Sequence, residues 1–284
     1  MSIVVTGATG QLGRLVVESL LDRGVTADQV VALGRRTESL SDLSERGVSV
    51  RRADYTDRAS LDEALHGATT LVLVSGNEVG QRVAQHANVV DAAKAAGVVH
   101  IIYTSAPHAD TSSLVLAPEH KATEELIRAS GIAFTILRNN WYTENYLGDL
   151  EQARATGEIV SSAGAGRVAS ASRADYAAAA AVVATSTGHE GASYELSGDV
   201  AWDFTDLAAA VSQIVGRPVS YRPVSPDERL GGLVAVGVDE PTAQFVVALE
   251  GNIRDGALSE TSGELTKLIE RPTTPLIDGL RAAL

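Results

Sequence analysis

Three glycines spaced three residues apart stand near the start of the chain, in the stretch TGATGQLG. An apolar run over residues 3–6 precedes them, and a segment with helical periodicity follows. In a strand–turn–helix unit, such glycines permit a tight turn, close approach of a phosphate and close packing of helix on strand. The helix then points free N–H groups and its positive dipole end at the phosphate. The pattern predicts a dinucleotide pyrophosphate site at Gly7, Ala8, Thr9, Gly10, Gln11, Leu12 and Gly13.

Two arginines, Arg35 and Arg36, follow the second apolar run, VVALG. NAD sites usually carry an acid about 20 residues after the glycine turn, where it accepts hydrogen bonds from the ribose hydroxyls. Here Glu38 is the nearest acid, and it lies beyond the predicted strand end. A guanidinium pairs well with the 2′-phosphate of NADPH, which an acid would repel. We therefore expect NADPH as the cofactor; the alternative is that both arginines are solvated surface residues.

Polar residues also follow the third and fourth predicted strands. Asp54 comes after the third, and Ser75, Gly76 and Asn77 come after the fourth. Ligands of open α/β sheets bind at the carboxyl ends of the strands. We expect adenine near Asp54 and the nicotinamide ribose near residues 75–77. Asp54 and Asn77 are each also typical of turns, which is the alternative for each taken alone.

One catalytic pair is missing from the sequence. Short-chain dehydrogenases that reduce carbonyls use a tyrosine and a lysine four positions later, because the lysine lowers the phenol pKa. None of the seven tyrosines has lysine at that distance. His120 stands in the helix where the pair belongs, and its imidazole titrates near neutrality. His120 is therefore a candidate proton donor or pocket residue, and a purely structural role is the alternative.

Aromatic and amide side chains are concentrated in the stretch LRNNWYTENYL, although aromatics are only 4% of the chain. We expect the rings to form the faces of a flat acceptor pocket and the amides to bind carbonyl oxygens; the alternative is an aromatic cluster that joins two lobes. A quinone suits such a site, because it accepts two electrons and its reduced anion takes a proton from water. The residues concerned are Asn139, Asn140, Trp141, Tyr142, Asn145 and Tyr146.

The elements that must position these residues alternate between strand and helix. Apolar runs without alternation are typical of a parallel sheet buried on both faces. They predict strands at 3–6, 30–34, 48–51, 70–74, 100–104 and 134–138, and helices at 12–22, 60–66, 82–96 and 118–130. The sequence therefore predicts an α/β, Rossmann-type doubly wound parallel sheet, with a smaller mixed α/β C-terminal lobe.

The rhythm of strands and helices breaks after about residue 142. We expect an NADP-binding domain over residues 1–141 and a smaller substrate lobe over residues 142–284. The alanine-rich helix over 174–187 is expected to return to the first domain.

Composition excludes several classes of function. The net charge is 23 − 36 = −13, which argues against nucleic acid and membrane surfaces. The chain has no cysteine, so no thiol nucleophile or disulfide is available. No secretory signal or apolar run of about 20 residues is visible. We expect a cytoplasmic protein without membrane insertion, nucleic-acid partner or metal site.

Motifs along nearly the whole chain resemble the NmrA-like atypical short-chain dehydrogenases. They include TGATGQLG, EVGQR, YTS, HADTS, LRNNWYTENYL, ASRADYAAAAA and GHEG. The resemblance implies NADPH contacts from the glycine turn, Arg35 and residues 75–77, together with Asn139, Asn140, Trp141, Tyr142, Thr143, Glu144, Ser170 and Arg173. Two features depart from the family pattern, Gly76-Asn77 and Lys121 beside His120.

The resemblance implies an NADPH-dependent reductase of a quinone-like flat acceptor bound between the two lobes. Asn140, Trp141 and Tyr142 are its candidate catalytic residues, with His120 as pocket residue or proton donor. Two other functions stay open, a non-catalytic NADP-binding redox sensor and a reductase of triphenylmethane-type dyes. A homodimer also stays open.

Overall fold

The computed structural model describes residues 2–284. The chain forms two compact units. The first runs from the start of the chain to Asp110 and also contains Leu116–Asn139 and Arg173–Leu196. The second contains Thr111–Val115, Asn140–Ser172 and Ser197–Leu284. The chain therefore passes between the units several times.

The strands belong mostly to the first unit. In chain order they are β1 (Ile3–Val5), β2 (Val30–Gly34), β3 (Ser49–Arg52), β4 (Thr70–Leu73), β5 (His100–Ser105), β6 (Ala133–Asn139), β7 (Glu158–Ser161), β8 (Arg167–Val168), β9 (Ser193–Leu196), β10 (Trp202–Asp203) and β11 (Ser220–Pro223).

Helices lie on both faces of the main sheet and also in the second unit. They are α1 (Gln11–Asp22), α2 (Ser41–Glu45), α3 (Arg58–Ala64), α4 (Arg82–Ala96), α5 (Ala117–Ala129), α6 (Leu147–Thr156), α7 (Arg173–Thr185), α8 (Phe204–Val215), α9 (Pro226–Ala235), α10 (Glu240–Arg254), α11 (Glu264–Ile269) and α12 (Leu276–Ala282). Short 3₁₀ turns lie at Ala27–Gln29, Thr37–Leu40 and Thr143–Tyr146.

The first unit is a seven-stranded sheet in the order β3-β2-β1-β4-β5-β6-β9, with every neighbouring pair parallel. The order reverses between β1 and β4, so right-handed crossovers place helices on both faces. On one side α1 packs against α7, and on the other α3, α4 and α5 pack in sequence. The doubly wound parallel sheet predicted from the sequence is confirmed. Its switch point lies at the carboxyl ends of β1 and β4, where ligands of such sheets bind.

The second unit has two small sheets, a parallel pair of β7 with β11 and an antiparallel pair of β8 with β10. An aromatic cluster lies in its interior: Tyr146 meets Trp202 edge-on at 4.8 Å between ring centroids, and Phe204 stacks on Tyr221 at 5.4 Å. Within residues 2–284, every helix is too short or too polar to cross a membrane.

Candidate active site

The glycine turn joins β1 to α1 and has the geometry of a phosphate cradle. Gly7 has a φ of +62°, in the left-handed region that glycine adopts without strain. A Cβ on Gly13 would lie 2.3 Å from the Gly7 carbonyl oxygen, so the first turn of α1 packs directly on the backbone of the loop. Gly10 is the N-cap, and no described side chain caps the helix. The first-turn N–H groups are therefore available to an anion.

Arg35 lies beside this turn because β2 ends against it. Gly34 is the last residue of β2, and a Cβ there would lie 2.3 Å from Cγ2 of Thr9. Arg35 and Arg36 follow directly and are both exposed. Nη1 of Arg35 donates to Oε1 of Glu78 at 3.1 Å. The structure thus brings the predicted arginine and the predicted glycine turn to the same edge of the sheet.

The segment after β4 is anchored by its backbone. The Ser75 N–H donates to Oγ1 of Thr104 at 2.9 Å. The Gly76 N–H donates to Nε2 of His86 at 3.0 Å, and the Gly76 carbonyl accepts from Nε of Arg82 at 2.8 Å. Both peptide groups of Gly76 are therefore held by side chains of α4. Asn77, the next predicted site residue, is exposed.

His86 is neutral and its tautomer follows from its partners. Because Nε2 accepts a hydrogen bond from Gly76, Nδ1 carries the proton and donates to Oγ1 of Thr123 at 3.0 Å. That hydroxyl donates in turn to the Glu119 carbonyl at 2.9 Å. Burial, followed by the nearby charge of Arg82, lowers the pKa of His86 to about 3. The hydrogen bond to Gly76 therefore persists throughout the neutral and mildly acidic range.

Arg82 and Glu119 complete this anchor. Nη1 of Arg82 pairs with Oε2 of Glu119 at 2.6 Å, and the other Glu119 oxygen accepts from the Gly80 N–H at 2.7 Å. Sequence reasoning missed this cluster. The signal was present, because Arg82, Gln85 and His86 lie on one face of α4 with the apolar Val89 and all are buried. Polar residues on the apolar face of a helix call for buried partners.

His120 lies in the interior of the first unit, on α5. Its Nδ1 is 2.7 Å from the Tyr103 hydroxyl, and the residue is 5% exposed. Burial, then the charge of Arg82 and the proximity of His86, lower its pKa to about 3. A neutral imidazole at neutral pH favours the pocket or structural role over proton donation. Its assignment as a site residue stays a prediction.

These two histidines predict a pH dependence of stability. Each has a folded-state pKa of about 3 against an ordinary value of about 6.5. The unfolded chain therefore binds more protons between these values, and the free energy of unfolding falls as pH drops from about 6.5 towards 3. Each histidine contributes a slope of about 1.4 kcal/mol per pH unit within that window.

Urea unfolding at several pH values between 4.5 and 6 tests this. His120→Gln is expected to lower the slope by roughly one histidine's share, about 1.4 kcal/mol per pH unit. The control is His66→Gln, which replaces an exposed histidine and is expected to leave the slope unchanged. Equal slopes in wild type and His120→Gln would contradict the neutral, buried state of His120.

Asp54 has a local role that is visible in the structure. Its carboxylate accepts from the Thr56 N–H at 2.9 Å and from the Thr56 hydroxyl at 2.8 Å. These bonds, the backbone one first, lower the pKa of Asp54. The arrangement is an Asx turn. Within the protein, Asp54 therefore has the turn-forming role that the sequence left open as an alternative. A contact with adenine stays a prediction.

Ser105, at the end of β5, belongs to a buried charge network. Its hydroxyl donates to Oε1 of Glu124 at 2.7 Å. Glu124 also pairs with Arg138 through two hydrogen bonds, of 2.9 and 2.7 Å. Nη1 of Arg138 contacts Asp110 and Glu195, each at 2.9 Å. This network fixes the end of β6, where Asn139 follows Arg138.

The second unit brings residues 141–143 and 170–171 together. Tyr142 forms a parallel bridge with Ala171, and the Thr143 N–H donates to the Ala171 carbonyl at 3.0 Å. Oγ1 of Thr143 lies 2.9 Å from Oγ of Ser170, which also accepts from Nε1 of Trp202 at 2.9 Å. Two stretches from which the family resemblance implies NADPH contacts are thus adjacent in space.

The predicted acceptor residues occupy different environments. Trp141 and Tyr142 are half-buried, whereas Tyr146 is buried within the aromatic cluster of the second unit. Nδ2 of Asn140 donates to the Leu258 carbonyl at 3.2 Å, and its Oδ1 accepts from the Trp141 N–H at 2.7 Å. Asn140 therefore positions Trp141, and Tyr146 packs in the core. Of the other predicted residues of this region, Asn139 ends β6, Glu144 and Asn145 lie in the 3₁₀ turn, and Arg173 is the first residue of α7.

Comparison with known proteins gives concordant results. A family described as NAD(P)H-binding matches residues 7–187. Quinone oxidoreductase 2 of Escherichia coli is 48% identical over 278 residues, covering 98% of this chain and 97% of that protein. The crystal structure of the NADPH-dependent quinone oxidoreductase of Escherichia coli with NADPH matches with a TM-score of 0.94 at 47% identity, over 99% of both chains.

A Citrobacter triphenylmethane reductase, solved with NADP(H), matches with a TM-score of 0.94 at 43% identity over 100% of both chains. These similarities extend over both units. The family match covers more than half of the chain, and the resemblance predicted from its motifs is confirmed. The chain is therefore a member of the NAD(P)H-binding family.

Proposed function

We propose that this protein is an NADPH-dependent oxidoreductase that reduces a quinone-like, flat acceptor by hydride transfer. The observation that carries the proposal is the glycine turn. Gly13 packs so closely on the loop that a Cβ there would lie 2.3 Å from the Gly7 carbonyl oxygen, and no described side chain caps α1. A larger residue at Gly13 would force the loop away from the start of α1 and disrupt that cradle. The family match and the NADPH complex of a protein 47% identical support the same cofactor.

The chain's own residues fit NADPH at three places. The N–H groups at the start of α1 would hold the pyrophosphate, and Arg35 would hold the 2′-phosphate. The segment of residues 75–77, fixed through Gly76, would face the nicotinamide ribose. When bound, NADPH supplies the hydride for reduction. We expect charge-assisted bonds from Arg35 to favour NADPH over NADH by roughly tenfold to a hundredfold.

The class of acceptor follows from the relatives and from the missing proton relay. One relative is named for quinones and another for triphenylmethane compounds. The lack of a lysine four positions after any tyrosine removes the usual means of protonating an alkoxide. We infer that simple ketones are poor substrates and that water protonates the reduced acceptor, because His120 is neutral and buried.

Trp141 and Tyr142 are the proposed acceptor-stacking residues, since both residues are half-buried and follow closely after β6. Asn140 is a positioning residue, because both ends of its amide bond the protein. A cytoplasmic location stays a prediction.

An assay with C4-deuterated NADPH tests the proposed function. We expect turnover of benzoquinones and naphthoquinones to slow about twofold to fourfold with the deuterated cofactor, and triphenylmethane dyes are the second class to try. Simple aliphatic ketones serve as the control and should show at least about 100-fold lower kcat/KM, a difference of about 2.7 kcal/mol. Tight NADPH binding without reduction of any acceptor in the panel would favour a redox sensor.

A further inference from the structure

The guanidinium of Arg35 has an acidic partner within the protein. Its Nη1 donates to Oε1 of Glu78 at 3.1 Å. Glu78 lies in the segment after β4, far along the chain from β2, so the pair joins two loops at the edge of the sheet. This is the same guanidinium that the proposed function assigns to the 2′-phosphate of NADPH.

Glu78 is oriented from its other side as well. Its Oε2 accepts from Nε2 of Gln85 at 2.8 Å, and Gln85 is 5% exposed on α4. A buried amide has few rotamers, so it directs the carboxylate more firmly than an exposed ion pair does alone. The carboxylate therefore stays near Arg35 even when the arginine side chain moves.

The backbone around Glu78 is also fixed. Two residues earlier, both peptide groups of Gly76 are held by His86 and Arg82. Two residues later, the Gly80 N–H donates to Glu119 at 2.7 Å. Because both flanks are anchored to helices, the segment cannot carry Glu78 away from Arg35 without breaking those bonds.

We propose that Glu78 is a specificity-determining residue that competes with the 2′-phosphate of NADPH for Arg35. This inference rests on the proposed NADPH binding. An anionic phosphate and a carboxylate on one guanidinium repel each other, so binding of the phosphate must draw Arg35 away from Glu78. NADH has a neutral hydroxyl at that position, which does not compete with Glu78 for Arg35. Glu78 therefore lowers the affinity for NADPH and leaves that for NADH unchanged, which moderates the preference that Arg35 creates.

The test is the affinity of both cofactors for the variant Glu78→Gln, measured by calorimetric titration. The substitution keeps the shape and removes the charge. Exposed ion pairs of this kind contribute up to about 1 kcal/mol, so we expect NADPH to bind about threefold to fivefold more tightly. NADH affinity should change by less than about 1.5-fold, which corresponds to about 0.2 kcal/mol.

Two further variants isolate the pair. Glu38→Gln removes one negative charge from an exposed acid three residues from Arg35 and controls for general electrostatics; we expect less than about a 1.5-fold change in NADPH affinity. In an Arg35→Ala background, Glu78→Gln should leave NADPH affinity within about 1.5-fold, because the contested group is gone. A structural role for Glu78 would not depend on Arg35 in this way.

Unchanged or weaker NADPH binding by Glu78→Gln, with wild-type protein that binds NADPH normally, would overturn this inference and leave the proposed function intact. An equal gain in the Arg35→Ala background would also overturn it. Failure of the wild-type protein to bind NADPH at all would overturn the proposed function itself.

Discussion

Gly13→Ala is expected to weaken NADPH binding by at least about 100-fold, or about 2.7 kcal/mol. The new Cβ would lie 2.3 Å from the Gly7 carbonyl oxygen and 2.9 Å from the Ala8 nitrogen. Both contacts are with backbone, so the loop must shift away from the start of α1 and the phosphate cradle opens. Calorimetric titration with NADPH measures the loss, and thermal unfolding shows whether the protein remains folded.

Gly148→Ala is the matched control for that substitution. Gly148 also lies in a helix, α6, but nothing lies within 4 Å of its Cβ position. Alanine there should leave NADPH affinity unchanged and stabilise the helix by up to about 1 kcal/mol. If Gly13→Ala bound NADPH as tightly as this control, the glycine turn would not be the pyrophosphate site.

Glu124→Ala is expected to lower the free energy of unfolding by about 3–5 kcal/mol. Glu124 is 3% exposed and makes two hydrogen bonds to Arg138, whose guanidinium would then lose its most buried partner. Ser105 would lose its acceptor at the same time. Urea unfolding at neutral pH measures the change.

Glu125→Ala provides the comparison, because Glu125 is the next residue of α5 and is exposed. Its removal should change the free energy of unfolding by no more than about 0.5 kcal/mol. A loss below about 1 kcal/mol in Glu124→Ala would mean that Asp110 and Glu195 suffice to pair Arg138.

Much of the first unit could be predicted because its signals are local. The strand predicted over residues 30–34 and the helix predicted over 82–96 have those bounds in the structure. Strands of a buried parallel sheet are apolar throughout, and the glycine turn marks where the first one ends. The same reasoning located Arg35 at the edge of the sheet.

One helix of the second unit, α9, was harder to predict because it lacks a buried stripe. Helix α9 buries none of its residues, so no apolar periodicity reveals it. Its start does have a sequence signal, a capping box between Ser225 and Glu228 with Pro226 in the first turn. That capping signal predicts the start of the helix even without apolar periodicity.

Partners that are distant along the chain were the other gap. Glu78 and Arg35 are 43 residues apart, and Arg82 and Glu119 are 37 apart. Nothing local in the sequence joins such residues. Likewise, one partner of the Asn140 amide within the protein is the distant Leu258. Topology decides these pairs, and it is not visible in a single sequence.

The order of the segments also affects how the chain folds during synthesis. Strand β9 pairs with β6, and α7 packs against α1, yet both come after the long excursion through residues 140–172. The nascent first unit therefore leaves the ribosome with the edge of β6 and one face of α1 uncovered. At about 5–20 residues per second, the wait for Leu196 lasts roughly 3–11 seconds. During that interval the uncovered edge of β6 presents unpaired N–H and C=O groups that can pair with another chain.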